Sequence, residues 1–506
     1  MNAPATPLSE ATGAGAALER ALILATCVAV TFLYSMAITV ANVSLPQMQG
    51  ALSVSPDQIA WVVTANIVAT AVMTPLTGWL TSRFGRRLLC SACVLGFGVA
   101  SLGCGLSDSL AELVFFRVLQ GAIGAPLVPL SQAIVLDTYA KRQHGMAIAL
   151  FGVGSVVGPV VGPVLGGWLA ETYNWRWVFY MILPFTLLAL IGSLAFIRDR
   201  EAGSKLRLDW LGFLLLSTTL ASAQLMLDRG ERADWFDSAE IVTWAALAGI
   251  ALYAFIAHSA TAARPFLDPR LLADRNFSIG VVLVFVFGML NFTPMTLLPP
   301  MLQGVGGYPD SVIGFVLGAR GLGTMAGFLT MVFASRFDPR PMIVLGFVLQ
   351  ALAGWQLAHL DVTPNAADVF WPMALQGYGV GVLWVPITMV AFSTLHERFV
   401  SEASAVFHMV RNIGSSVHIS LSIALAVHMT RTSYAEIAER VTPYSGSATM
   451  PWVTGAWNLE DLRGLAGLSR EIARQATMIG YLDAFVFFVA TSLVVLPLVL
   501  LIRVRR

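Results

Sequence analysis

The sequence predicts an all-α integral membrane protein with fourteen transmembrane helices, arranged as two parallel six-helix bundles plus two extra central spans. Three observations carry this. The 506-residue chain is 57% hydrophobic and only 12% charged, roughly half the charged share of a soluble protein. The apolar residues fall in blocks of about 20, the length of a helix that crosses a ~30 Å hydrocarbon core. Short motifs in the first part of the chain recur in the last part at a nearly constant offset. Thirty Lys+Arg balance 29 Asp+Glu, so no basic face is offered to nucleic acid.

Residues 1–20 are rich in Ala, Gly, Thr and Pro and read as a disordered cytoplasmic tail. No basic stretch precedes Arg20, so the first apolar block reads as an uncleaved span and not a signal peptide. Spans follow at about 21–41, 58–80, 88–106, 110–134, 146–169, 177–197, 210–228, 239–258, 277–301, 312–332, 342–360, 368–392, 404–428 and 479–501. Ser55-Pro56-Asp57-Gln58 and Ser109-Leu110-Ala111-Glu112 carry helix-entry chemistry, an N-cap Ser with Gln or Glu three residues on. Cys27, Cys90, Cys93 and Cys104 lie in apolar blocks and read as small buried residues.

With the N-terminus inside, the inner loops hold nineteen of the thirty Lys+Arg and the short outer loops three, Arg176, Arg229 and Arg232. That asymmetry places both termini in the cytoplasm. A long outer loop, 429–478, holds five arginines, five acids, Trp452 and Trp457, and reads as a partly ordered periplasmic cap.

The repeat is collinear. Ser82-Arg83-Phe84-Gly85-Arg86-Arg87 recurs as Ser335-Arg336-Phe337-Asp338-Pro339-Arg340. Leu119-Gln120-Gly121 recurs as Leu375-Gln376-Gly377, and Gly154-Ser155-Val156-Val157 as Gly414-Ser415-Ser416-Val417. Spans 2, 4 and 5 therefore map onto 10, 12 and 13. The domains are 21–200 and 276–506 as six-helix bundles, with 201–275 as two inserted helices and their loops. Parallel halves of this kind build transporters whose substrate site lies at the midplane between them.

Three arginines, Arg117, Arg320 and Arg411, sit inside apolar blocks, where a charge is costly unless it faces the interior or a watery cavity. Arg117 shares a helix face with Gln120. In span 13, His408, Arg411, Ser415, His418 and Ser422 form one polar stripe at spacings of 3 and 4, either an interhelical hydrogen-bonding face or a cavity wall. Span 1 has a milder stripe that includes Thr39 and Asn42. Gly154, Gly158, Gly162 and Gly166 fall every four residues on span 5, which lets a neighbouring helix approach closely. The acids within reach of the spans are Glu112, Asp137, Asp228 and Asp483, all read as lying near helix ends.

Several stretches carry a family resemblance. Gly78-Trp79-Leu80-Thr81-Ser82-Arg83-Phe84-Gly85-Arg86-Arg87 resembles the major facilitator loop 2–3 motif. Arg117-Val118-Leu119-Gln120-Gly121 resembles the span-4 motif, and Gly158-Pro159 through Gly167 the span-5 antiporter motif. Trp175-Arg176-Trp177, Leu227-Asp228-Arg229-Gly230-Glu231 with Asp234-Trp235-Phe236, and Arg411-Asn412-Ile413-Gly414 resemble the fourteen-span EmrB/QacA-type drug:proton antiporters. The resemblance implies gating and packing roles for Gly78, Arg83, Gly85, Arg86, Asp137, Gly154, Gly158, Pro159, Gly162 and Gly166. Substrate or proton translocation falls to Arg117, Gln120, Asn42, Thr39, Arg320, His408, Arg411 and His418. Where relatives carry a span-1 aspartate this chain has Ala37, and where they carry the loop 2–3 acid it has Ser82.

The expected function is secondary active export of amphipathic small molecules by alternating access, coupled to proton influx, with a preference for neutral or weakly acidic substrates. The alternatives are a facilitator-type importer of a small organic solute and, less favoured, a membrane-embedded enzyme. No Gly-x-x-x-x-Gly-Lys-Ser/Thr loop is present for ATP, His396-Glu397-Arg398-Phe399-Val400 fails as a zinc motif, and no Gly-x-Ser-x-Gly occurs. No cofactor or metal is expected. The expected partners are the lipid bilayer of a bacterial inner membrane, a small amphipathic substrate, and a periplasmic adaptor with an outer-membrane channel.

Overall fold

The computed structural model describes residues 14–198, 208–263, 265–396, 399–441, 457 and 461–502. Among them, fourteen helices are long and apolar enough to cross a membrane: α1 (Gly15–Ala41), α2 (Gln58–Phe84), α3 (Arg86–Leu106), α4 (Leu110–Thr138), α5 (Lys141–Thr172), α6 (Trp177–Phe196), α7 (Trp210–Arg229), α8 (Ala239–Thr261), α9 (Arg275–Gly304), α10 (Val312–Ala334), α11 (Pro339–Leu357), α12 (Ala366–Phe392), α13 (Val400–Arg440) and α14 (Leu462–Leu501). The cap before α2 closes as its sequence predicts: Ser55 Oγ accepts from the Gln58 N–H while Gln58 Oε1 accepts from the Ser55 N–H. Before α4, Ser109 Oγ accepts from the Glu112 N–H, but the Glu112 carboxylate reaches one residue further back, to the Asp108 N–H. All four cysteines are buried, reduced thiols.

Three expectations are corrected. The tail expected over 1–20 is helical from Ala14. Its Ala, Leu and Glu residues are good helix formers, Arg20 Nε donates to Ala16 O, and Glu19 pairs with Arg198; residues 1–13 lie outside the described residues. The outer loop 429–478 is much shorter than expected, because α13 continues to Arg440 and the last helix starts at Leu462. Polar sequence does not end a helix that has a partner: Tyr434 and Ser469 hydroxyls pair across the two extensions at 3.1 Å. Trp452 lies outside the described residues. Asp483 is consequently not near a helix end but 21 residues beyond the start of α14.

The packing repeats in the two halves. In the first, α1 lies on α5 and α6, α2 on α4, and α3 on α4 and α6. In the second, α9 lies on α13 and α14, α10 on α12, and α11 on α12 and α14. The inserted α7 packs against α2 and α13, one from each half, and α8 packs mainly on α7. Only 11% of the α8 apolar window is buried, so its surface faces lipid.

The start of α1 and the end of α14 lie at one face, where Tyr139 Oη donates to Arg20 O at 3.1 Å, Arg86 meets Asp137 and Arg340 Nη2 donates to Ile502 O; this is the basic face. The halves are tied there. Ser404 Oγ on α13 donates to Pro129 O on α4 at 2.8 Å, and Lys141 Nζ donates to Ser393 O at 3.3 Å. Gly78 on α2 seats the Glu402 backbone, and Gly145 on α5 seats Ser335, the residue that ends α10. A Cβ at Gly78 would stand 3.0 Å from Glu402 Cα.

Candidate translocation site

The three membrane arginines occupy different settings. Arg117 on α4 is 2% exposed. Its Nε donates to Val62 O on α2 at 2.9 Å and its Nη1 to Gln120 Oε1 at 2.6 Å. Gln120 Nε2 then donates to Ser101 Oγ on α3 at 2.7 Å. One chain of polar contacts thus links α2, α4 and α3 inside the first half. A backbone carbonyl with a spare lone pair is a good acceptor in an apolar interior, so the charge is used to hold helices together.

Arg320 on α10 is closed over in the same manner in the second half. Its Nη2 donates to both the backbone and side-chain oxygens of Asn291 at 2.6 Å, its Nε to Gln376 Oε1 at 2.8 Å, and its Nη1 meets Met295 Sδ at 3.2 Å. Gln376 in turn exchanges bonds with Gln350 on α11.

Arg411 on α13 differs. Its hydrogen bonds among the described residues go to Asn412 Oδ1, the next side chain on its own helix, at 3.0 and 3.3 Å. Its guanidinium carbon lies 5.5 Å from the centre of the Trp384 ring, a cation–π arrangement. Tyr34, on α1 of the opposite half, lies within electrostatic reach of both Arg411 and Arg117. Arg411 therefore stands between the halves with an aromatic floor and donor capacity to spare. One turn toward the basic face, His408 Nε2 meets Gln132 Oε1 on α4, and its ring lies 5.6 Å from Trp384. His408 Nδ1 and Gln132 Nε2 are buried without a hydrogen-bond partner among the described residues.

The span-13 stripe is therefore not one wall. His408 and Ser404 face the other half, whereas His418 is enclosed in its own. Its Nδ1 meets Thr293 Oγ1 on α9 at 2.8 Å and Ser422 Oγ at 3.2 Å, its Nε2 meets Thr491 Oγ1 on α14 at 3.3 Å, and its ring stacks on Phe487 at 4.8 Å. Thr39 also turns away from the interface between halves. Its hydroxyl donates to Ser35 O and Met36 O of its own helix and abuts Gly162 on α5. Asn42 is helical, and its side chain lies outside the described residues.

The span-5 glycines all meet α1. A Cβ at Gly154 would come within 2.8 Å of Val28 O. At Gly158 it would lie 2.8 Å from both Phe32 O and Met36 N, at Gly162 3.1 Å from Met36 O, and at Gly166 2.1 Å from Val40 Cγ2. Pro159 lies within this stretch of α5, between Gly158 and the next glycine.

The pattern that describes the Major Facilitator Superfamily matches residues 27–418, more than half of the chain. The chain belongs to this superfamily. It is 31% identical to the multidrug export protein EmrB of Escherichia coli K12 over 475 residues, covering 93% of this chain and 92% of that one. It is also 31% identical to the fatty acid resistance protein FarB of Neisseria gonorrhoeae, with 92% of each chain covered. Among solved structures, the human organic anion transporter MFSD10 superposes with a TM-score of 0.59 at 13% identity, covering 94% of this chain and 99% of that one. The family and the fourteen spans make this a multi-pass membrane transporter.

In this superfamily member the loop 2–3 motif is built around a turn. Gly85 has φ +81 and ends α2 while opening α3, a backbone conformation that favours glycine. Arg86 pairs with Asp137 at the end of α4, and Arg83 is exposed. In the repeat of this loop, Asp338 caps α11 by accepting from the Arg340 N–H at 3.0 Å.

Several residues of these polar contacts have only a faint sequence signal. Gln132, Gln376, Gln350 and Asn291 are polar residues inside apolar blocks, which was the available clue. Trp384 reads from sequence as a lipid-facing or core aromatic. At the base of the inserted pair, Asp209 caps α7, accepting from the Gly212 N–H at 3.0 Å, the Phe266 N–H at 3.0 Å and His258 Nε2 at 2.9 Å. Burial pushes the Asp209 carboxyl up, but the Gly212, His258 and Phe266 bonds together outweigh it and hold the group below the ordinary carboxylate range.

Proposed function

We propose that the protein is a secondary active exporter of amphipathic small molecules, working by alternating access in the bacterial inner membrane, driven by proton influx and favouring neutral or weakly acidic substrates. The observation that carries the preference is the sorting of the arginines. Arg117 and Arg320 are spent on carbonyl and glutamine acceptors, while Arg411 lies on Trp384 between the halves. A guanidinium over an indole suits a molecule with an apolar ring or chain and a carboxylate or phenolate, which can form a charge-assisted pair. A dication would need a carboxylate beside it to offset its desolvation. The span-1 position that carries this acid in relatives is Ala37, sealed at 1% exposure, and Asp137 is engaged by Arg86. The printed names of the relatives, multidrug export for EmrB and fatty acid resistance for FarB, support the reading.

Proton carriage falls to Asp483, half-buried on α14, four residues from Phe487, whose ring stacks on His418. The basic face is the cytoplasmic one by the positive-inside rule. The outer extensions of α13 and α14, with the exposed Trp457 between them, contact a periplasmic adaptor that leads to an outer-membrane channel.

The test uses inverted membrane vesicles and a fluorescent weak acid. An imposed pH gradient, acidic inside the vesicle, should drive dye uptake. Asp483→Asn should abolish gradient-driven uptake while leaving gradient-independent exchange intact. Uptake that ignores the gradient in the parent protein would overturn the exporter reading in favour of a facilitator.

A further inference from the structure

The motif Leu227-Asp228-Arg229-Gly230-Glu231 with Asp234-Trp235-Phe236 takes no part in the translocation site, yet it is built tightly. It forms the turn between α7 and α8, on the side away from the basic face. Asp234 and Trp235 both have positive φ, +56 and +50, a conformation that residues other than glycine seldom adopt. Such strain persists only where the surroundings fix it. Here Trp235 Nε1 donates to Glu231 Oε2 at 2.9 Å and Arg229 Nε donates to Glu240 Oε1 at 2.5 Å. The Trp235 ring also covers Gly230, where a Cβ would stand 2.8 Å from its Cε3.

The turn fixes the outer end of α7, which stands in the seam between the halves. α13 packs directly on α2 over 74–84 and on α4 over Leu127–Thr138, the parts nearer the basic face. Over Pro56–Met73, its outer part, α2 packs on α4 of its own half and on α7. Where α2 and α13 draw apart, α7 lies between them.

The two flanks of α7 differ. It runs parallel to α13 and follows it for most of its length. Leu216 and Leu220 cluster with Met409, Ser416 Oγ donates to Gln224 Oε1 at 2.9 Å, and Ser420 Oγ donates to Leu227 O at 2.8 Å. At the basic end the linker after α8 adds a bond from the Asp268 N–H to Glu402 Oε1 at 2.9 Å. Toward α2, the polar contacts gather at the outer end. Thr64, buried on α2, donates from Oγ1 to Asp228 Oδ2, and the Arg229 guanidinium carbon lies 5.3 Å from the centre of the Trp61 ring.

We propose that α7 is a brace for the outward-open state. It rides with α13, and the catch of Asp228 and Arg229 on Thr64 and Trp61 holds the halves apart on the outer side. Closing that side brings α2 toward α13 and requires the catch to let go. The proposal rests on the alternating-access part of the proposed function and not on which substrate or ion is carried.

The experiment is an electron-spin distance measurement between nitroxide labels at Ala51→Cys and Asp361→Cys, exposed outer positions in the two halves. It uses the full-length transporter in nanodiscs, without substrate or gradient. The parent chain, whose four cysteines are buried, is the labelling control. The outer distance is long when the outer side is open and short when it is closed. Thr64→Val, equal in shape but without the hydroxyl, should lower the ratio of long to short about five-fold, the weight of one hydrogen bond. Thr64→Ser should keep the parent's ratio. Ser416→Ala with Ser420→Ala, which loosens α7 from α13, should lower it as well. Gly78→Val, which presses on the Glu402 backbone at the basic face, should favour the short distance and so mark it. A ratio unchanged in Thr64→Val and in the double serine variant, with Gly78→Val shifted, would overturn the brace and leave alternating access standing. A ratio raised by Thr64→Val would overturn it too, since the catch would then hold the outer side shut. One fixed distance in every variant, Gly78→Val included, would overturn alternating access and the brace together.

Discussion

The two halves place a guanidinium against the same glutamine but deliver it from different helices. In the first half Arg117 comes from α4, three residues before Gln120. In the second, Gln376 sits at the corresponding place on α12, and Arg320 reaches it from α10. The glycines fix the correspondence. A Cβ on Gly121 would meet Asn66 O at 2.4 Å, and one on Gly377 would meet Arg320 O at 2.0 Å. Arg320 thus stands where the first half has Asn66, and Met373 where it has Arg117. Even Asn66 joins in, its Nδ2 donating to Arg117 O at 2.9 Å. The repeat has preserved a contact between a cation and an amide and not a residue position. A buried arginine that finds carbonyl partners in its own half is a fastening between helices, and the general reading of membrane charges as functional gives way there.

The largest effect should come from the glycines that bring these helices together. Gly377→Val and Gly121→Val each force a side chain into a backbone carbonyl that cannot move without its helix. Each should cost about 3 kcal/mol, seen as a large fall in unfolding temperature in detergent, with Gly377→Val the worse because its approach is closer.

A smaller effect should follow removal of the charges. Arg117→Met and Arg320→Met each leave a buried glutamine oxygen without its donor, a loss of about 2 kcal/mol. The comparison is sharpened by a transplant. Arg320→Asn combined with Met373→Arg copies the first-half arrangement into the second half and should recover more than half of the stability that Arg320→Asn alone removes. No recovery would show that the correspondence drawn from the glycines does not extend to the charges.

The smallest effect concerns the inserted pair, which has no counterpart in either bundle. Asp209→Asn should cost about 1 kcal/mol, a typical helix-cap loss. Because the folded Asp209 carboxyl lies below its ordinary value, its contribution is complete above about pH 4, the unfolded value, and fades as the pH falls through the lowered one. The protection of amides at the start of α7, taken relative to their intrinsic exchange rates at each pH, should therefore fall on acidification in the parent and stay flat in Asp209→Asn.

Span number and the internal repeat were legible because both rest on long, redundant patterns: fourteen apolar blocks and three collinear motifs. The α1–α5 crossing was legible as well, since glycines every four residues mark a face. Partners across space were not. Nothing local distinguishes Arg411 from Arg320, because what separates them is whether Asn291 and Gln376, 29 and 56 residues away, supply acceptors. The polar stripe of α13 looks continuous in sequence, yet the helix passes from α4 to α9 along its length, so His408 and His418 face different halves. The helix extensions beyond the membrane are silent in the sequence for a related reason: hydropathy reports lipid contact, and helix–helix pairing in water leaves no apolar block of membrane length.

The central claim is that Arg411, and not the other two buried arginines, meets the substrate. Its direct test is transport in proteoliposomes, with a weakly acidic amphipath and a dicationic dye measured side by side. Arg411→Ala should lower transport of the weak acid at least ten-fold while shifting the unfolding temperature little. Variants of Arg117 and Arg320, assayed at a temperature where they remain folded, should keep the parent's preference for the acid over the dication. Strong export of the dication by the parent protein, unchanged in Arg411→Ala, would contradict the account.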